Sequence, residues 1–150
     1  MVVAFFGHAD FCGTESQKEK IFEYLNALTE GKPAEMYLGG YGGFDRFAHG
    51  CCKRYQALCR GISLIFVSPY VVDGYRKERL EEIRQSYDSV IYPAIEDKPQ
   101  RYAIVYRNRW MVEQADACIC AVERRYGGAY QALCYAKRLK KPIFNLLENG

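Results

Sequence analysis

Met36-Tyr37-Leu38-Gly39-Gly40-Tyr41-Gly42-Gly43-Phe44-Asp45-Arg46 sets a short apolar run against four glycines and then a segment whose apolar residues recur at helical spacing. The stretch reads as a strand, a phosphate-sized turn and a helix start. Glycine has no Cβ, so backbone N–H groups can approach an anion closely, and the helix N-terminus behind them adds unpaired donors and partial positive charge. The competing reading is a tight strand-to-helix connection that needs the glycines only for its own geometry.

Working outward, the same alternation repeats. Val2 to Gly7 is an apolar run, followed by a helical stretch from Glu15 to Leu28 with Ile21, Phe22, Leu25 and Leu28 on one face. Phe44, Phe47, Ala48, Cys51, Cys52, Tyr55 and Leu58 form the stripe of the helix after the glycines. Ser63 to Ser68 is a strand ending at Pro69, Tyr75 to Gln85 a charged and exposed helix, and Ser89 to Tyr92 a strand closed by Pro93. Arg101 to Gln114 is helical, Ala117 to Val122 wholly apolar, Gly128 to Leu139 helical, and Pro142 to Leu147 a last strand. Strands that are continuously apolar are covered on both sides. The pattern predicts one α/β domain over residues 1–150, Rossmann-like and doubly wound, with a mostly parallel sheet and helices on both faces. Ligands of such sheets sit outside the carboxyl ends of the strands. Three loops fall there: Gly7-His8-Ala9-Asp10-Phe11, the glycine cluster, and Glu123 to Gly128.

Composition narrows the class. A chain of 150 residues that is 49% hydrophobic and 26% charged has the balance of a globular domain able to bury a full core. Its net charge of +3 suits a small anion and argues against a DNA-coating surface. Seven scattered cysteines, without Cys-x-x-Cys spacing and with only His8 and His49 beside them, argue against zinc and against a disulfide framework. With no apolar segment of membrane length and no leader-like N-terminus, the expected setting is a reducing cytoplasm, away from membranes.

Residue by residue, Asp45 either caps the helix after the glycines or accepts from a ribose hydroxyl, and Arg46 is surface charge. His8 either donates to phosphate or satisfies its own turn, and Asp10 reads as a cap of the first helix. Arg107 offers a planar fork to phosphate or carboxylate while Asn108 can hold backbone or ribose hydroxyls; the alternative is a solvated helix face. Tyr126-Gly127-Gly128-Ala129 repeats the strand, glycine turn and helix arrangement. Tyr41 and Tyr126 lie in loops, where either can stack on a base, whereas Tyr106 and Trp110 pack.

Gly39-Gly40-Tyr41-Gly42-Gly43-Phe44-Asp45, with Arg107-Asn108-Arg109-Trp110-Met111, Ala115-Asp116-Ala117-Cys118-Ile119, Gly127-Gly128 and Tyr135-Ala136-Lys137, resembles the SLOG superfamily, which joins the Smf/DprA proteins to the LOG enzymes. The nearest resemblance is to its small YpsA-like branch. The resemblance runs from the first strand to Pro142 and implies a Rossmann-like fold binding nucleotides or nucleotide-derived ligands. Some members are phosphoribohydrolases that cut a base from a nucleoside 5′-monophosphate. Arg107 matches the arginine of their signature, but the glutamate position falls on Tyr130 or Gln131, and the signature's proline and threonine are missing. Without that carboxylate nothing stabilises positive charge at the sugar. Glu123 precedes the turn and should point elsewhere.

The expectation is therefore a binding domain, sensor or sequestering protein, with no catalytic residues, metal or cofactor. Its ligand contacts would be Gly7, His8, Gly39, Gly40, Tyr41, Gly42, Gly43, Asp45, Arg107, Asn108, Tyr126, Gly127 and Gly128. A LOG-like hydrolase using Asp10, Asp45 or Glu123, and a DprA-like single-strand binder, are the alternatives; the thin positive balance argues against DNA as a partner. A homodimer is compatible with the exposed aromatics.

Overall fold

The computed structural model describes residues 1–69, 77–95 and 97–148, apart from the side chains of Lys77, Leu80 and Gln100. Six strands, β1 (Val2–Gly7), β2 (Ala34–Leu38), β3 (Ile62–Val67), β4 (Ser89–Ile91), β5 (Ala117–Ala121) and β6 (Ile143–Asn145), form one parallel sheet in the order β4-β3-β2-β1-β5-β6. The helices are α1 (Glu15–Thr29), α2 (Gly42–Leu58), α3 (Lys77–Ser86), α4 (Ala103–Gln114) and α5 (Gly128–Arg138).

Alternate residues of the strands point to opposite faces, and both faces are covered. Val3, Phe5, Met36, Leu38, Leu64 and Ile119 pack with Ile21 and Leu25 of α1 and with Phe44, Ala48 and Tyr55 of α2. Ala4, Phe6, Tyr37, Ile65, Cys118 and Cys120 pack against Met111 and Val112 of α4 and against Leu133 and Ala136 of α5. Every residue of β5 is buried, which is why that segment shows no polar alternation. The α/β, Rossmann-like, doubly wound expectation is what the chain adopts.

Local differences have local causes. Asp10 does not cap the first helix: Thr14 does, accepting from Gln17 N while the Gln17 side chain accepts from Thr14 N. The helical run expected from Arg101 begins instead as a 3₁₀ turn, Gln100–Tyr102, before α4. Of the helix expected from Tyr75, the first two residues lie outside the described residues; within α3, Ile83 is buried while Glu78, Arg79, Glu81, Glu82, Arg84 and Gln85 are exposed.

From β1 the sheet grows one way through β2, β3 and β4 and the other way through β5 and β6. The loops leaving β1 and β5 diverge at this switch point and open a crevice at the carboxyl edge.

Candidate functional site

That crevice is a cleft of about 270 Å³. Its walls come from the end of β1 (Gly7, His8), from Tyr41 and Asp45 at the start of α2, from Arg107 and Asn108 of α4, and from Arg124, Tyr126, Gly127 and Gly128 ahead of and at the start of α5. The two glycine turns thus lie at the same edge of the sheet, and Tyr41 and Tyr126 are both exposed beside it.

The first turn is partly engaged by protein. Gly43 N donates to Ala9 O at 2.6 Å and Phe44 N to His8 O at 3.3 Å, so two first-turn donors of α2 already serve the loop after β1. A Cβ on Gly42 would lie 2.7 Å from Ala9 Cα, and one on Gly43 would run into the Phe11 carbonyl oxygen. A side chain at Gly40 would strike the Phe66 ring. These glycines let the two loops and the sheet edge close on one another, and Gly40 and Gly42 also line a separate cleft of about 410 Å³ with Asp45, Arg46 and Arg79.

Arg107 is likewise interior. It is 1% exposed, and its Nη1 donates to Gly39 O at 2.9 Å and Val67 O at 2.8 Å, tying the carboxyl ends of β2 and β3 to α4. Its Nε donates to Asn108 Oδ1 at 2.9 Å, so Asn108 orients the arginine. One arm of the fork read as offered to a ligand phosphate, Nη1, is engaged with main-chain carbonyls. Asp45 is buried beside it and accepts from Tyr41 N at 2.8 Å. Burial pushes its carboxyl up to about 6, against the opposing pull of Arg107 and the Tyr41 N–H.

His8 is buried, and its Nε2 accepts from Glu123 N at 3.0 Å and Arg124 N at 3.3 Å. An acceptor Nε2 means a neutral ring, with the proton on Nδ1. Burial first, then Arg124, holds its pKa below the ordinary histidine value. His8 therefore satisfies backbone and fixes the loop between β5 and α5. Asn145 grips the same loop, accepting from Val122 N at 3.0 Å and donating to Val122 O at 2.9 Å.

The second turn is open. Gly127, at φ 91° and ψ 177°, is the N-cap of α5 with no side-chain cap, and a Cβ on Gly127 or Gly128 would meet nothing within 4 Å. No side chain caps the first turn of α5, and Gly127, Gly128 and Ala129 line the cleft there. Arg124, which the sequence reading passed over, stands on the same wall: Nη1 and Nη2 donate to Asp10 Oδ2 and Oδ1, each at 2.8 Å, and the guanidinium lies 5.7 Å from the Tyr126 ring centroid. Its place three residues before a helix-starting Gly-Gly pair was the available signal. Glu123 is exposed and does not line the cleft. Tyr106 sits under Lys98 and Arg109, and Trp110 stacks on Tyr37 at 5.7 Å.

A second groove of about 670 Å³ runs between α1 and α2, with Phe11, Phe22 and Phe47 in its walls and Lys18, Arg46 and Arg54 around them. No described helix is long and apolar enough to cross a membrane.

No protein-family model and no curated protein matches the chain. Among solved structures, it is similar to DNA processing protein A from Helicobacter pylori, described for its single-stranded DNA binding mode, with a TM-score of 0.65 and 21% identity. The match covers 97% of this chain and 64% of that one, so the chain spans under two thirds of the neighbour's length. The expectation against DNA as a partner is corrected here: a protein built on this fold binds single strands, and a small net charge is no ground for setting DNA aside. That neighbour is of the Smf/DprA type, consistent with the SLOG resemblance. What the likeness shows for this chain is the fold, a parallel Rossmann-like sheet with its crevice at the carboxyl edge.

Proposed function

We propose that the chain binds a nucleotide or nucleotide-derived ligand in the cleft between Tyr41 and Tyr126, as a sensor or sequestering protein of the YpsA-like branch. The observation that carries this reading is the uncapped N-terminus of α5 behind Gly127 and Gly128, open at the switch point of the sheet. A ligand phosphate sits there, near Arg124. The base lies against Tyr126, whose 68% exposure leaves its ring available for stacking. Gly7, His8, Gly39, Gly40, Gly42, Gly43, Arg107 and Asn108 hold the walls rather than the ligand. We place the protein in a reducing compartment, where its cysteines stay as thiols, and allow for pairing into a homodimer.

Thermal melting of the protein against nucleoside mono- and diphosphates, dinucleotides, ADP-ribose derivatives and cyclic nucleotides tests the proposal. Ligand binding only to the folded state raises Tm, by an amount that grows with ligand concentration. A flat response across the panel overturns it. Release of free base from a monophosphate would instead favour the hydrolase alternative, with Asp45 as the nearest cleft carboxyl.

A second reading rests on the groove between α1 and α2. Half-buried phenylalanines interleaved with Lys18, Arg46 and Arg54 are the combination that holds single strands, by stacking bases and tracking phosphates. Binding of an oligothymidylate that weakens steeply with salt, and is lost in Arg46→Glu/Arg54→Glu, would support it.

A further inference from the structure

Asp45 is the one acid among the described residues that line the cleft between Tyr41 and Tyr126. It is 7% exposed, and one of its carboxylate oxygens is used: Oδ2 accepts from Tyr41 N at 2.8 Å. Oδ1 accepts from no described residue, and it is not sealed in as Arg124 Nε is. It therefore keeps an opening on the space the residue lines. Arg107 pulls on the carboxylate through space, not through a hydrogen bond. Holding Tyr41 N needs a single acceptor, which an asparagine would supply without burying a charge. A carboxylate kept in such a place with one oxygen unmet is costly, and groups of that kind gather where a ligand completes them.

We infer that Asp45 reads a ribose hydroxyl of the ligand through Oδ1, so that the cleft takes ribonucleotides in preference to deoxyribonucleotides; this deepens the nucleotide reading above and rests on it. An ionised carboxylate only accepts, so the group that meets it must donate. A nucleotide's ionised phosphate has acceptors alone and is repelled. The ribose hydroxyls are donors. With the phosphate at the start of α5 and the base against Tyr126, the sugar that joins them is the part left for the α2 wall. A site that hydrogen-bonds a hydroxyl rejects the analogue without it, because its own polar group is then left unmet.

Calorimetric titration of the full chain with AMP, GMP, CMP and UMP, and with their 2′-deoxy and 3′-deoxy forms, tests this. Removing one of the two hydroxyls should cost wild type about tenfold or more in affinity, as loss of a bond to a charged acceptor does. Asp45→Asn keeps an acceptor for Tyr41 N and sheds a buried charge, so its fold is retained. Loss of a negative charge strengthens ribo and deoxy forms alike, which their ratio cancels. That ratio should drop about fivefold in Asp45→Asn, where a neutral contact replaces the charged one. Arg46 borders the neighbouring cleft with Asp45 but does not line this one. Arg46→Gln should therefore leave ribonucleotide affinity within about twofold; a tenfold fall places the ligand in that cleft and overturns the role given to Asp45 along with the nucleotide's placement. Equal binding of ribo and deoxy forms by wild type overturns the role while the nucleotide reading stands. A ratio unchanged in Asp45→Asn overturns it too, since another group then reads the hydroxyl. Absence of binding by every form to every probe overturns both.

Discussion

The carbonyl oxygen of Gly39 accepts from Arg107 Nη1 at 2.9 Å, and the Cβ that Gly39 lacks would lie 2.8 Å from Arg107 Cζ. A glycine at the end of one strand and a buried arginine from a distant helix are thus one structural unit. Gly39→Ala should destabilise the fold by about 1–3 kcal/mol, because the guanidinium must shift off the Gly39 and Val67 carbonyls and the packing offers no slack. Arg107→Ala should cost more, about 3–5 kcal/mol, since it leaves those carbonyls and the Asp45 carboxyl buried without their cation. Urea denaturation reads both. A Gly39→Ala variant as stable as wild type would show that the arginine is not locked there.

Asp45 and His8, both buried at the cleft, pull the pH dependence of stability in opposite directions. The Asp45 carboxyl is raised from 3.8 to about 6, so its contribution is complete below the unfolded value and is lost as pH climbs through about 6. Keeping it ionised at neutral pH costs roughly 3 kcal/mol. Asn at this position still accepts the Tyr41 N–H without the charge. Asp45→Asn should therefore lose the decline between pH 4 and 6 and gain most above it, which denaturation midpoints across that range would show.

For His8 the sign reverses. Its pKa is lowered from 6.5 in the folded protein, so the stability it supports is intact above 6.5 and falls away as the medium is acidified. Protonating Nε2 also puts a donor against the amides of Glu123 and Arg124, which loosens the loop ahead of α5. Gln places an acceptor near the Nε2 position, so His8→Gln should keep the loop and flatten the acid limb, whereas His8→Ala should lose the loop at every pH. Amide exchange at Glu123 and Arg124 distinguishes them: protection retained in His8→Ala would refute the assignment.

Much of the architecture was readable before any coordinates because the strands are buried on both faces and so are written as unbroken apolar runs, as in Ala117 to Ala121. The role of Arg107 was not. Arg107-Asn108-Arg109 has the composition of either a ligand clamp or a solvated face, and what places the first arginine inside is the meeting of β2 and β3 ends far away in sequence. The glycine cluster was ambiguous for a related reason. Backbone approach to a phosphate and backbone approach to another loop demand the same missing Cβ, and only the position of Ala9 and Phe11 decides between them. Arg124 was missed because a charged residue in a loop carries no periodicity to mark it.

Gly127 and Gly128 allow the fold and the site to be separated. Gly127 has φ 91° and ψ 177°, a region almost closed to side chains, so Gly127→Ala should cost about 1–3 kcal/mol even though the added methyl would meet nothing. Gly128 begins the helix without positive φ and faces open space, so Gly128→Ala should leave the Tm within a few degrees of wild type or raise it slightly, as alanine favours a helix over glycine. The same methyl would project where a ligand phosphate must approach the α5 amides. Nucleotide affinity should then fall about tenfold or more in a variant whose stability is intact. Should Gly128→Ala bind as wild type does, the phosphate does not rest on α5, and the proposed placement of the ligand fails.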